Sequence, residues 1–188
     1  MPGVDAVLPA VASKAGNARH FWTPWRRRLW SIYAAGAVLL AGYSAITDWR
    51  DHHAVLINAS ESLPNWAFLI DRGKAPERGE YIAFDPPRTP LVTRHFGAHP
   101  AMFAKIVYGV GGDVVSRVGR TFFINGRKGA IAKVRSRFGE PLALGPTGTI
   151  PAGCYFVGTP HKDGFDSRYA GIGWPCAKQV IGTGTPIL

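Results

Sequence analysis

Hydrophobic positions along the chain fall into two patterns. Residues 29–47, LWSIYAAGAVLLAGYSAIT, hold no charged side chain. As a helix rising 1.5 Å per residue the run spans roughly 28 Å, close to the ~30 Å hydrocarbon core of a bilayer. Beyond it the apolar residues come in short β-branched and aromatic runs at 54–57, 81–84, 104–107, 113–115, 121–124 and 155–157, each bounded by Gly, Pro, Asn or Asp. Such runs predict strands. Asn125-Gly126 directly after Phe122-Phe123-Ile124 predicts a hairpin, because both residues tolerate the positive φ of a type I′ turn. Frequent Gly and Pro leave few amphipathic helices. The expected fold is mainly β, an antiparallel, partly closed β-domain on a single N-terminal transmembrane helix.

The flanks of the long run give it a direction. Arg26-Arg27-Arg28 stands immediately before it, which predicts a cytoplasmic N-terminus and places the residues beyond the run on the far side of the membrane. Trp22, Trp25, Trp30 and Trp49 supply aromatic anchors near both ends. A cleaved secretory signal has a shorter apolar region, about 7 to 15 residues, and a small-residue cleavage site. Here the run is longer and closes on Asp48-Trp49-Arg50-Asp51, so an uncleaved anchor is expected in preference to a cleaved signal or a buried core helix. The resulting organisation is a basic cytoplasmic tail at 1–28, a transmembrane signal anchor at 29–49 and a periplasmic domain at 50–188, in the inner membrane of a bacterium.

Charge changes this picture little. The formal net charge is +10 and the pI about 10.1. Five basic residues against Asp5 put +4 of it in the tail, where topology and anionic lipid account for it. The other basic residues are dispersed, so no nucleic-acid partner is expected. About 140 residues remain after the anchor, enough for one domain with one core. His95 and His99 are four apart, but Gly97 and Pro100 preclude a shared helical face, and no metal or cofactor is expected. The Gly-rich stretch 109–112 is followed by a strand pattern rather than a helix, which reads as a tight turn and not as a dinucleotide site.

Two positions carry candidate chemistry. Asn58-Ala59-Ser60-Glu61-Ser62-Leu63-Pro64 comes after a strand and meets a proline that holds Leu63 extended, an arrangement able to fix a hydroxyl at an exposed corner. A serine needs a base to become a nucleophile, and none of the six histidines is singled out as one. Lys105 lies in Met102-Phe103-Ala104-Lys105-Ile106-Val107-Tyr108, apolar on both sides. Burial there would lower a lysine from about 10.4 toward the ~7 to 8 that suits a general base. A strand lysine that snorkels to solvent and a turn serine bonded to its own backbone are the structural alternatives.

Four segments occur in an order that is similar to one family. Ser60-Glu61-Ser62-Leu63-Pro64, then Arg78-Gly79-Glu80-Tyr81-Ile82-Ala83-Phe84, then Lys105-Ile106-Val107-Tyr108-Gly109-Val110-Gly111-Gly112-Asp113-Val114-Val115, and finally Asp166-Ser167-Arg168-Tyr169-Ala170-Gly171 resemble the boxes of the type I signal peptidase superfamily. The ending Ile181-Gly182-Thr183-Gly184-Thr185-Pro186-Ile187-Leu188 is similar to the family's last strand. The resemblance implies a Ser/Lys protease with Ser62 as nucleophile, Lys105 as general base, the Ser62 N–H and the Ser60 hydroxyl as oxyanion donors, and Asp166 with Arg168 bracing the site. One position departs from the pattern. Where bacterial leader peptidases carry a serine that orients the lysine, this chain has Gly164, so Ser167 or a backbone carbonyl is expected to hold the amine.

Within the superfamily the chain most resembles the TraF-type conjugative transfer peptidases, through one anchor, Ser-Leu-Pro at 62–64 and a short interval between the Lys105 and Asp166 boxes. That branch implies a membrane-bound pre-pilin of a conjugative type IV secretion system as substrate, with the bilayer and other conjugation components as partners. The alternatives are a general type I signal peptidase acting on signal-peptide-bearing precursors, and a non-catalytic anchored β-domain of a transfer apparatus. Cys154 and Cys176 are the only cysteines and fall on the side assigned to the oxidising periplasm. Their spacing permits either a disulfide closing the Asp166/Arg168 segment or two separate thiols.

Overall fold

The computed structural model describes residues 24–58 and 62–187. Its chain divides into two units, 1–45 and 46–188. Helix α1 (Pro24–His52) supplies the described part of the first and enters the second; it buries no side chain. It is long and apolar enough to cross a membrane, with polar ends that run beyond the 29–49 segment expected from sequence. The first strand starts at the next residue, where the β-branched pattern takes over.

The second unit is built of antiparallel strands. In chain order these are β1 (His53–Ile57), β2 (Ala67–Asp71), β3 (Tyr81–Phe84), β4 (Phe103–Gly109), β5 (Val114–Val118), β6 (Thr121–Ile124), β7 (Arg127–Ile131), β8 (Gly148–Thr149), β9 (Phe156–Gly158) and β10 (Val180–Pro186), with helix α2 (Pro90–Phe96) between β3 and β4. One sheet has the order β1-β2-β10-β3-β4-β9, and a second the order β7-β6-β5-β8. Each of the six runs contributes to a strand, with Asp113 and Tyr155 left just outside β5 and β9. The hairpin forms as expected: Asn125 and Gly126 take φ of 50° and 76°, and Ile124 pairs with Arg127.

Four elements are not legible as patterns, β2, β7, α2 and the two-residue β8, which exists through its pairing with β5. β2 contributes the fully buried Phe68 and Ile70 beside β1 and β10, so it is apolar on a face set by its neighbours. β7 opens on Arg127-Lys128-Gly129, with no apolar alternation, and is fixed by the hairpin to β6. α2 begins at Thr89-Pro90, where the Thr89 hydroxyl accepts the Val92 N–H at 3.3 Å, and ends at Gly97 with φ 86°. That end leaves His95 inside the helix and His99 outside it; the His95 Nε2 lies 3.0 Å from Glu140 Oε2.

Cys154 and Cys176 form a disulfide. Spacing alone allows two thiols as well; what decides the matter is an isolated antiparallel bridge between the two residues, which brings their Cα atoms to 3.9 Å. The Tyr155 N–H donates to the Pro175 carbonyl at 3.0 Å and keeps the two segments side by side. Cys154 also packs in the core with Val115, Phe122, Ile150 and Phe156.

Candidate active site

Strand β4 delivers Lys105 to the interior. The strand lies between β3 and β9, with Lys105 opposite Ile82. Its far end is tied down by the glycine-rich turn: Asp113 Oδ2 accepts the Val110 N–H at 2.7 Å and an Arg78 guanidinium N–H at 2.5 Å, while Oδ1 accepts from the Asn125 amide at 2.8 Å. Burial raises the Asp113 carboxyl, and these bonds outweigh it, holding the group below its ordinary value. Arg78 also donates to the Tyr108 carbonyl at 2.8 Å. Two of the ordered sequence segments thus serve to fix β4.

The turn after β1 delivers the hydroxyl. Leu63 is 4% exposed and packs with Leu56, Phe68 and Ala104, which anchors the residue next to Ser62. Asn58, at the start of the turn, donates its side-chain amide to the carbonyls of Leu63 at 3.4 Å and Asn65 at 2.9 Å, and its N–H to the Trp66 carbonyl at 2.7 Å. The Tyr81 hydroxyl donates to Asn65 Oδ1 at 3.1 Å. Sequence reading singles out neither Asn58 nor Leu63 as a positioning group. An Asn at the entry of a Pro-containing turn is the available signal. Ser60 falls outside the described residues.

The two meet. Lys105 Nζ donates to Ser62 Oγ at 3.3 Å, and Lys105 is only 6% exposed. Burial strips water from the ammonium and lowers its pKa to about 8; Asp166 opposes that shift and Arg168 adds to it. The snorkelling alternative is therefore set aside for Lys105. Both residues line a cavity of about 690 Å³, shared with Met102, Phe103, Phe165 and Tyr169. An amine neutral in the mildly alkaline range, in contact with a hydroxyl at an apolar cavity wall, is able to take that hydroxyl's proton.

Asp166 and Arg168 form a buried fork beside the lysine. Arg168 Nε and Nη2 each donate to one Asp166 oxygen at 2.7 Å, and Arg168 and Asp166 are 2% and 0% exposed. The same guanidinium reaches the carbonyls of Ile131 at 3.1 Å and Gly164 at 2.9 Å. It joins the second sheet to the loop after β9, so the surface ion pair is excluded. Ser167 does not hold Lys105: its hydroxyl accepts the Val157 N–H at 2.9 Å, a bond between that loop and β9.

The family model described as "Signal peptidase, peptidase S26" matches residues 26–188. Among solved structures, the chain is similar to a signal peptidase I from Enterococcus faecalis V583, with 28% identity over 60% of this chain and 98% of that one, at a TM-score of 0.38. No curated protein matches the chain. The family match takes in the turn with Ser62, the strand with Lys105, the Asp166/Arg168 loop and the last strand, and with it the chain belongs to the signal peptidase family, peptidase S26, as a serine endopeptidase of the signal peptidase type.

Proposed function

We propose that Ser62 and Lys105 are the catalytic dyad and that the enzyme matures a membrane-bound pre-pilin of a conjugative secretion system, acting as a TraF-type peptidase. The observation that carries the dyad is the buried Lys105 amine 3.3 Å from the Ser62 hydroxyl. Ser62 Oγ attacks the scissile carbonyl as its proton passes to neutral Lys105. The Ser62 N–H and the Ser60 hydroxyl stabilise the oxyanion. The Lys105 ammonium then gives its proton to the departing amine as the peptide bond breaks, leaving an ester on Ser62. A water, or a pilin amine in a cyclising reaction, is deprotonated by Lys105, attacks the ester and releases the product with Ser62 restored. The fork of Asp166 and Arg168 keeps the wall behind Lys105 in place.

Three features support the narrower substrate: Ser62-Leu63-Pro64, one apolar helix of membrane-spanning length among the described residues, and an insertion of only a four-stranded sheet between Lys105 and Asp166. The substrate's extended segment would lie against backbone near Ser62 as an added strand. The arginines at 26–28 support an inner-membrane protein with a cytoplasmic tail, and the disulfide supports a periplasmic domain.

Processing of a co-expressed pre-pilin, compared with an ordinary secretory precursor, tests the reading. Ser62→Ala and Lys105→Ala should each abolish cleavage, with the double variant no worse, since members of one catalytic unit are not additive. Ser60→Ala should cost about 10²- to 10³-fold. Full cleavage by either dyad variant rules the mechanism out. Equal cleavage of both precursors replaces the pilin peptidase by a general signal peptidase. The mass of the released pilin distinguishes water from an amine as acceptor.

A further inference from the structure

Thr159 lies one residue beyond β9. The pairs Val107 with Val157 and Ile106 with Gly158 define the β4–β9 register, and one further step sets Thr159 across from Lys105. Facing residues of an antiparallel pair present their side chains on the same side of the sheet. On the other flank Lys105 faces Ile82, which has no polar side-chain atom. Thr159 is 2% exposed, and its Oγ1 is buried without a hydrogen-bond partner among the described residues. A hydroxyl left in that state is costly enough to need a reason.

Its surroundings supply one. The Thr159 N–H donates to Asp166 Oδ2 at 3.2 Å, which ties the residue to the buried fork. A Cβ on Gly164 would come within 2.0 Å of Thr159 Oγ1, 2.6 Å of Arg168 Nη2 and 3.1 Å of Asp166 Oδ2. Gly164 itself lines the cavity that holds Ser62 and Lys105. The hydroxyl of Thr159 therefore fills the space that a side chain at 164 would need, behind a residue of the cavity wall. The other hydroxyl of the loop, Ser167, is engaged by Val157.

We propose that Thr159 Oγ1 is the positioning group for Lys105: the amine, which in this structure donates to Ser62 Oγ and not to Thr159, turns an N–H onto Oγ1 and leaves its lone pair directed at Ser62 Oγ, while the glycine at 164 makes room for it. The inference rests on the dyad reading above. Charged groups facing the amine are Asp166 and Arg168 from the loop; Lys133, His161 and Asp163 line the same cavity.

The test uses the full chain in detergent micelles, with an internally quenched peptide spanning a pre-pilin cleavage region, and NMR of lysine labelled at Cε to follow Lys105. Thr159→Val should lower kcat by about 10- to 100-fold, the worth of a hydrogen bond to a charged group, with KM unchanged. It should also move the Lys105 midpoint to lower pH, because an acceptor that favours the ammonium is gone. Thr159→Ser should keep both values. A kcat and a midpoint equal to wild type in Thr159→Val would overturn the proposal, as would loss of both in a folded Thr159→Ser. If Thr159→Val does not fold, the pair Thr159→Ala and Thr159→Ala/Gly164→Ser decides. Recovery of kcat by the double variant, which returns a hydroxyl to the same space, supports the assignment, and a folded Thr159→Ala with the kcat and Lys105 midpoint of wild type overturns it. A wild-type chain that leaves the peptide intact overturns the pilin-substrate reading alone, because the Lys105 titration is read without turnover.

Discussion

Lys105, as the proposed base, would trade stability for reactivity. Its amine titrates at about 8 in the folded chain against 10.5 for an ordinary lysine. Between those values the unfolded chain holds the proton and the folded chain does not, so stability rises with pH across the window and the full cost is present below it. The difference corresponds to about 3 kcal/mol. Lys105→Met should therefore be inactive yet more stable than wild type by up to that amount at pH 7, and the gain should vanish above pH 10.5; urea unfolding at several pH values measures it. Activity should rise with pH through about 8, the protonated amine being unable to accept the Ser62 proton. A profile governed by a group near 6.5 and abolished by replacing one histidine would refute Lys105 as the base.

At the scale of elements, precision at Ser62 comes from the turn around it. Leu63 sits in the core and Asn58 spans the turn from its entry to the carbonyls beyond Ser62, while Tyr81 reaches across from β3 to Asn65. Asn58→Ala removes two side-chain bonds and should destabilise the fold by about 1 to 3 kcal/mol. Its effect on kcat should be larger than that loss implies for folded enzyme, roughly 10- to 100-fold with KM retained, because a small displacement of the hydroxyl from the amine is enough. Steady-state kinetics on the folded variant, with urea unfolding for stability, gives both numbers; an unchanged kcat would show that Leu63 and the Tyr81–Asn65 bond hold the turn without the Asn58 side chain. β4 is fixed in the same manner by Arg78 and Asp113, whose bonds leave the strand little freedom to slide.

At the scale of the domain, the disulfide encloses residues 154–176, the segment that carries Thr159, Gly164, Asp166 and Arg168. Closing a loop of this length stabilises by about 3 kcal/mol in the chain-entropy model. Cys154→Ser/Cys176→Ser, or reduction of the native chain, should lower stability by that order and lower activity as the Asp166/Arg168 wall loosens. Thermal unfolding and peptide turnover with and without reductant check the two together; identical curves would leave the bridge without a structural role. Arg168 extends the same segment to the Ile131 carbonyl at the end of β7, so the second sheet also supports the site.

What the sequence determined was local: the apolar run that becomes α1, six strands with their flanking breakers, the Asn125-Gly126 hairpin, and, through the order of their segments, Ser62 and Lys105 as the candidate pair. Gly97 likewise ends α2 between His95 and His99, so the two share no helical face. Tertiary structure decided the rest. β2 and β7 are strands because of their partners, and the cysteines bridge because an antiparallel contact brings them together. Thr159 gains meaning only from a register that faces it to Lys105, 54 positions earlier in the chain. Pairing between distant segments and the desolvation it brings are properties of the assembled sheet, and no window of sequence contains them.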